Sequence, residues 1–342
     1  MFKILELFGG IGACSKAVEK LGIEYTIADY VEIDKYAVKS FNAMHNTNFE
    51  PQDICKWDKD IEVDLIMHGS PCQDFSLAGK QRGGDRNSGT RSSLMYETIR
   101  IVEKLKPKYV IWENVKNLLS KKHIHNFNAY LETMNELGYK SYYKVLNAKD
   151  YGIPQNRERV FTISIKNNID KVFEFPQKQE LKLRLKDILE DKVDKKYYLD
   201  DKQVLRIFKS SYVSSKRRIQ KKDYCDTLCA RDWKDPKCVQ VGTLDIKGHD
   251  CIKRVYDISG CSPTLTDMQG GNRQPKILTE KLIVRKLTPK ECWRLMGFDD
   301  IDFEKAEKVN SNTQLYKQAG NSIVVNVVQE IIKKMIKNDW QC

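Results

Sequence analysis

From residue 1 to about 165, short apolar runs alternate with amphipathic stretches. That alternation constrains the chain most, because parallel strands need crossovers and amphipathic helices supply them. Lys3–Leu7 reads as a first strand, Ala13–Leu21 as a helix closed by Gly22, Tyr25–Val31 as a second strand and Asp34–His45 as a second helix. Leu65–Met67, Tyr109–Trp112, Tyr142–Leu146 and Val160–Ile165 read as further strands, and Leu94–Leu105 and Phe127–Leu137 as helices. The expected fold is α/β, a doubly wound, mostly parallel sheet with helices on both faces. Beyond residue 180 the pattern breaks. Leu181–Asp194 is charged and reads as helical, and 205–280 holds short β-like runs, turn residues and a basic cluster around Lys216-Arg217-Arg218. A smaller, irregular, β-rich second domain is expected there. Regularity returns at Thr288-Pro289-Lys290-Glu291, where Thr288 is a good N-cap and Glu291 completes a capping box. Gly320-Asn321-Ser322 is expected to cap a last helix, Ile323–Ile336.

In such a sheet, ligands bind beyond the carboxyl ends of the strands. The sequence places its chemistry-bearing residues there. Phe8-Gly9-Gly10-Ile11-Gly12 follows the first strand, where glycines allow a tight turn and close approach of a ligand. Glu32 ends the second strand about 20 residues on, where an acid can hold ribose hydroxyls. Ser15 stands where a strict G-x-G-x-x-G would have its third glycine. The motif fits an adenosine-containing cofactor and leaves open whether that is a dinucleotide or S-adenosylmethionine.

Gly69 and Pro71 stop the third strand and present Cys72 on a stiff backbone, the setting of a candidate nucleophile. Glu113-Asn114-Val115 ends a buried strand. A carboxyl there is expected to have a raised pKa and to donate a proton, or else to serve as a cap or ion pair. The pair Arg157 and Arg159 could clamp a carbonyl or phosphate, or orient Glu113. Phe75–Thr90 is glycine-rich and basic, with Lys80, Arg82 and Arg86, which suits a lid over an anionic substrate.

The 342 residues carry 59 Lys+Arg against 47 Asp+Glu, a net charge of +12, which favours a polyanionic partner. Mean hydropathy of -0.57 without a long apolar run excludes a membrane helix. The N-terminus runs straight into a strand without a signal-peptide pattern, and the 10 scattered cysteines suit reduced thiols in a cytosol. Cys225, Cys229, Cys238, His249 and Cys251 lack zinc-ligand spacing, so no metal is expected.

In this order, the segments resemble the cytosine-C5 DNA methyltransferases of bacterial or phage restriction-modification type, over nearly the whole chain. Phe8 to Gly12 resembles the family's cofactor loop, Glu32 its ribose ligand, Asp53-Ile54 its adenine contact, and Leu94 another cofactor contact. Ser70-Pro71-Cys72-Gln73 resembles the nucleophile motif, Glu113-Asn114-Val115 the cytosine-protonating motif, and Gln155 to Arg159 the arginine motif. Arg285 to Cys292 resembles the segment that buttresses the recognition domain. Gly320-Asn321-Ser322 resembles the last motif, where the chain returns to the cofactor.

The resemblance implies a Rossmann-like S-adenosylmethionine-dependent domain over 1–187 and 313–342, with a target-recognition domain and hinge over 188–312. Cys72, Glu113, Arg157 and Arg159 would be catalytic. Phe8, Gly9, Gly10, Ile11, Gly12, Glu32, Ile33, Asp53, Ile54, Pro71, Leu94, Asn321 and Ser322 would bind S-adenosylmethionine, leaving S-adenosylhomocysteine. Gln73, Ser76, Lys80, Arg82, Thr264, Leu265, Gly270 and Gly271 would meet double-stranded DNA. The expected protein is a monomer in a bacterial cytosol or phage-infected host, near the nucleoid, with room for a separately acting cognate restriction endonuclease. Rival readings are an NAD-dependent oxidoreductase, which gives Cys72 no task, a DNA-binding protein with an inactive catalytic domain, and a tRNA-methylating relative.

Overall fold

The computed structural model describes residues 1–71, 91–169, 172–198, 240–243, 253–268, 273–279 and 284–336. Strand β1 (Phe2–Leu7) lies between β2 (Tyr25–Val31) and β3 (Leu65–His68), parallel to both. With β4 (Tyr109–Val115), β5 (Tyr139–Asn147) and β6 (Glu158–Lys166) they form a six-stranded sheet in the order β2-β1-β3-β4-β6-β5. β4 is parallel to β3, whereas β6 runs antiparallel to both β4 and β5. The short β5–β6 connection forces that reversal, because a parallel pair needs a longer crossover. The sheet reverses its strand order between β1 and β3, and in such folds the ligand crevice lies there, beyond the carboxyl ends of the strands.

Both faces of the sheet are buried. α1 (Ala13–Lys20) and α8 (Val325–Ile336) cover one face, sharing a core with Ile4, Met67, Ile111 and Ile163. α3 (Met95–Leu105) and α4 (Ile124–Glu136) cover the other, packed on Leu5, Leu7, Ile66 and Trp112. The alternation along each strand decides which side chains meet which helix. α2 (Lys35–His45) starts at Asp34, whose side chain accepts from Tyr36 N at 2.9 Å.

A second sheet of four strands has the order β10-β9-β8-β7, formed by β7 (Gln240–Thr243), β8 (Arg254–Asp257), β9 (Lys276–Leu278) and β10 (Val284–Lys286). Residues 181–194 contain only a 3-10 turn, Leu185–Ile188, rather than the expected helix. Leu185 and Ile188 are buried while their charged neighbours stay in water, too narrow an apolar stripe to hold a longer helix.

Thr288 and Glu291 form the expected capping box at the start of α5 (Pro289–Arg294). α6 (Asp300–Glu307) follows, then α7 (Asn312–Asn321). Gly320-Asn321-Ser322 closes α7 rather than capping α8, which begins at Val325. Residues 289–307, expected with the recognition domain, share the core of the larger sheet through Trp293, Leu295, Phe298 and Phe303. Buried Lys16 of α1 reaches Asp302 at 3.0 Å and Asp299 at 3.1 Å, which fixes α6 against the sheet layer.

Glu291 does more than close its helix. Its carboxylate takes Arg285 of β10 in two bonds, 2.6 and 2.8 Å, and the N–H of Glu190 at 2.9 Å. Arg285 and Glu291 have side chains only 3% and 0% exposed, so neither charge has water to fall back on. Glu291→Ala leaves the guanidinium buried without its counterion and should lower stability by about 3–5 kcal/mol. Urea unfolding of the purified variant measures this.

Candidate active site

The turn after β1 puts Phe8 at φ 52° and Gly10 at φ 55°, with Gly12 as the N-cap of α1. A β-carbon at Gly10 would meet nothing within 4 Å, so the backbone here faces open space. Gly9 lies against the Tyr30 ring, and Ile11 is buried in the core, so these two offer backbone rather than side chain. Gly10 N donates to Glu32 Oε2 at 3.0 Å and Asp34 N donates to Oε1 at 2.8 Å. Each carboxylate oxygen therefore holds one bond and keeps acceptor capacity. Burial pushes the Glu32 carboxyl up, and the N–H bonds from Asp34 and Gly10 oppose it.

The next residue, Ile33, is 71% exposed and adds apolar surface at the end of β2. Phe8 and Leu94 pack on the cluster that contains buried Ile54. Asp53 caps the short turn Ile54–Lys56 by accepting from Cys55 N at 3.0 Å. An open backbone turn, a carboxylate at the end of β2 and an apolar flank fit an adenosine group, with Glu32 placed for ribose hydroxyls. Asn321 and Ser322 stand at the end of α7: Asn321 is exposed, while Ser322 is buried with its N–H on Gln318 O.

The glycine-loop reading overlooked Glu6. This residue of β1 is buried, and its carboxylate accepts from Ser15 N at 2.9 Å, Ser15 Oγ at 2.5 Å and Cys14 N at 3.4 Å. An acid thus closes the amino end of α1, where the helix dipole favours negative charge. Ser15, at the position of the absent third glycine, is its partner. Burial pushes Glu6 up to about 7, against the bonds from Ser15 and Cys14. The signal was available: an acid inside an apolar strand, followed at helix spacing by a hydroxyl.

At the end of β4, Glu113 is 8% exposed, and Arg159 Nε meets its Oε1 at 3.0 Å. Val115 pairs with Arg159 and Glu113 with Phe161 across β4 and β6, so acid and guanidinium are diagonal neighbours on one face. Burial pushes the Glu113 carboxyl up, and the charges of Arg159 and Arg157 pull it back only in part. A carboxyl in that balance can be held as a proton donor. Gly69 lies beside it: a β-carbon built there would sit 3.9 Å from Glu113 Oε2 and 3.3 Å from Ile323 Cδ1. Pro71 ends the described part of this turn.

Arg157 takes a different position from Arg159. Its guanidinium donates to Leu265 O at 2.9 Å, Gly320 O at 3.1 Å and Ser322 O at 2.8 Å. It also acts on Glu113 through its charge. Gly320 permits this junction, because a β-carbon there would fall 1.8 Å from Thr266 O. The neighbouring Gln155 donates to Leu295 O at 2.8 Å and accepts from Leu265 N at 3.2 Å. Thr264 Oγ1 donates to Asn156 O at 2.6 Å, so Thr264 and Leu265 both lie on the arginine segment.

The model of the C-5 cytosine-specific DNA methylase family matches residues 2–337. The chain belongs to that family. Among these methylases it is 35% identical to the type II methyltransferase M.HhaI of Haemophilus parahaemolyticus, covering 96% of this chain and 92% of that protein. It is 33% identical to the orphan methyltransferase M.SPBetaI of Bacillus phage SPbeta, covering 98% and 97% respectively. In structure it is similar to the Entamoeba histolytica methyltransferase EhMeth, with a TM-score of 0.71, 15% identity, and 100% and 99% of the two chains covered. That last likeness shows the shared fold. Membership makes the chain a DNA (cytosine-5-)-methyltransferase with a methyl donor of the S-adenosylmethionine type. The motif that carries Glu113 and those that carry Glu32, Arg157 and Arg159 thus stand at one end of the sheet of a C-5 methylase. Cys72, Gln73, Ser76, Lys80, Arg82, Gly270 and Gly271 lie outside the described residues. No helix among the described residues is long and apolar enough to cross a membrane.

The Glu6 carboxyl gives a pH prediction. Its folded pKa lies above the ordinary 4.5, so the folded state keeps a proton that the unfolded chain releases. Its contribution to stability is complete below pH 4.5 and is lost as pH rises towards about 7, where Glu6 titrates in the fold. The loss should amount to about 3 kcal/mol. Glu6→Gln should flatten that part of the curve, read from urea midpoints across the window.

Proposed function

We propose that the chain methylates carbon 5 of a cytosine rotated out of duplex DNA, through a covalent bond between Cys72 and carbon 6. The observation that carries this is the buried Glu113 carboxyl at the end of β4, held by Arg159 beside the turn that leads to Cys72. Carbon 5 of cytosine is a weak nucleophile. The Cys72 thiolate adds its electron pair to carbon 6 and breaks the ring's 5,6 double bond, while Glu113 gives its proton to the ring nitrogen N3. The product is an enamine, nucleophilic at carbon 5. Arg159 holds the base carbonyl, and Arg157 keeps the segment that carries Arg159 in place. S-adenosylmethionine, when bound, supplies an electrophilic methyl group that carbon 5 takes, leaving S-adenosylhomocysteine. A base such as water then removes the carbon-5 proton, the thiolate of Cys72 leaves as the 5,6 double bond is restored, and N3 returns its proton to Glu113.

Both reacting carbons are stacked inside duplex DNA, so the base must leave the helix, at a cost of about a few kcal/mol. Glu32 would hold the ribose of the cofactor, Asp53 and Ile54 its adenine, and Ile33, Leu94, Phe8 to Gly12, Pro71, Asn321 and Ser322 the remainder. The catalytic part spans 1–187 and 313–342, and the recognition part with its hinge falls within 188–312, of which 289–307 packs on the catalytic core. Gln73, Ser76, Lys80, Arg82, Thr264, Leu265, Gly270 and Gly271 would meet the DNA, and the +12 charge supports binding to it. The protein would work as a monomer beside the nucleoid of a bacterial or phage-infected cell, with any cognate endonuclease acting separately.

Cys72→Ala is expected to reduce methyl transfer to background while DNA binding persists, measured with labelled cofactor and a gel-shift assay on the same DNA. Retained transfer removes Cys72 from the reaction. With 5-fluorocytosine in the cognate site, fluorine cannot leave as a proton, so the wild-type enzyme should form an adduct that survives denaturation. Bisulfite sequencing of DNA from cells that express the chain identifies that site.

A further inference from the structure

The two residues that flank Glu113 on β4 point to the opposite face of the sheet from it. Both reach Ser70, in the turn after β3. Trp112 Nε1 donates to Ser70 Oγ at 2.9 Å, and Asn114 Nδ2 donates to Ser70 O at 3.2 Å. Trp112 is 1% exposed and Ser70 3%, so the indole bond has no competing water. The indole is itself held. It stacks on His68 with 5.6 Å between centroids and 6° between planes, and lies 4.2 Å from the Tyr130 ring. His68 Nε2 lies 3.3 Å from Tyr130 Oη, and burial pushes His68 down to about 3, so this aromatic stack is uncharged at neutral pH.

We propose that Trp112 is a positioning residue for methyl transfer: its indole N–H fixes Ser70, and so sets where the turn after β3 stands relative to Glu113. The inference rests on the reading of Cys72 as nucleophile. Cys72 follows Ser70 by two residues, with Pro71 and its fixed φ between them. The strand that carries the acid on one face therefore anchors the nucleophile's turn from the other. Addition at carbon 6 and protonation at N3 take place on one ring, so the relative placement of the two groups enters the rate. Cofactor and DNA affinity do not depend on it in the same way.

Trp112→Phe keeps an aromatic ring in the stack and removes the donor, and Ser70→Ala removes the acceptor. Each should lower kcat and the rate of 5-fluorocytosine adduct formation by about tenfold or more. KM for DNA and the Kd for S-adenosylhomocysteine should stay within about twofold, because the groups proposed to bind both ligands are retained. The double variant should be no slower than the worse single one, since both remove the same bond. Unchanged kcat in Ser70→Ala overturns the proposal, as do losses that multiply in the double variant or that follow the fraction of folded protein. Should Trp112→Phe fail to fold, Ser70→Ala alone decides the matter. A wild-type enzyme that forms no adduct on its cognate site overturns the covalent reading itself, and is thereby told apart from a failure of this one.

Discussion

The guanidinium of Arg157 joins backbone segments that lie more than 100 residues from it in sequence. It lies just before β6, and its donors satisfy the backbone carbonyls of Leu265, Gly320 and Ser322. Planar donors with a fixed fork suit carbonyls that converge from different directions, and the charge strengthens each bond. Gly320 is what lets the segment around Thr266 come close enough. The arginine segment is pinned from the sides as well, through Gln155 on Leu295 and Leu265, and Asn147 on Arg157 N at 3.0 Å. Arg159, two residues on, inherits this rigidity, so the partner of Glu113 is positioned by bonds it does not itself make.

Carboxyls mark the carboxyl ends of three strands, two of them buried and one half-buried. Glu6 of β1, Glu32 after β2 and Glu113 of β4 are all pushed up by burial, yet each is partnered differently. Glu6 takes the N–H groups and hydroxyl at the start of α1, which closes a helix end. Glu32 takes the N–H groups of two turns and keeps acceptor capacity. Glu113 meets a guanidinium, which offsets only part of the rise that burial causes. One physical cause, loss of water, therefore acts on a helix cap, on the carboxyl proposed to hold a ribose and on the carboxyl proposed to donate a proton, and the partner differs in each.

A large part of this was legible in the sequence. Strand and helix periodicity gave the sheet and its helices, and Thr288 with Glu291 gave the start of α5, since both signals act over a few residues. The motifs at the strand ends led to the crevice, because in a parallel sheet all such ends lie on one side. Charged Leu181–Asp194 misled, since scattered charges read as a solvated helix face when too few apolar residues exist to anchor one. Ser15 was read as a departure from a glycine pattern, although it is the partner of Glu6.

The sequence by itself determined the α/β alternation, the placing of Glu32, Glu113 and the arginine segment at strand ends, and the excess of positive charge. The folded chain adds that Arg159 pairs with Glu113 while Arg157 gathers the carbonyls of Leu265, Gly320 and Ser322, that Arg285 shares Glu291 with the helix cap, that 289–307 joins the larger core, and that Trp112 holds Ser70. The first set follows from spacing along the backbone, which repeats every two or 3.6 residues. The second joins side chains or segments that chain folding alone brings together, and their choice of partner depends on which polar groups are left in a space without water.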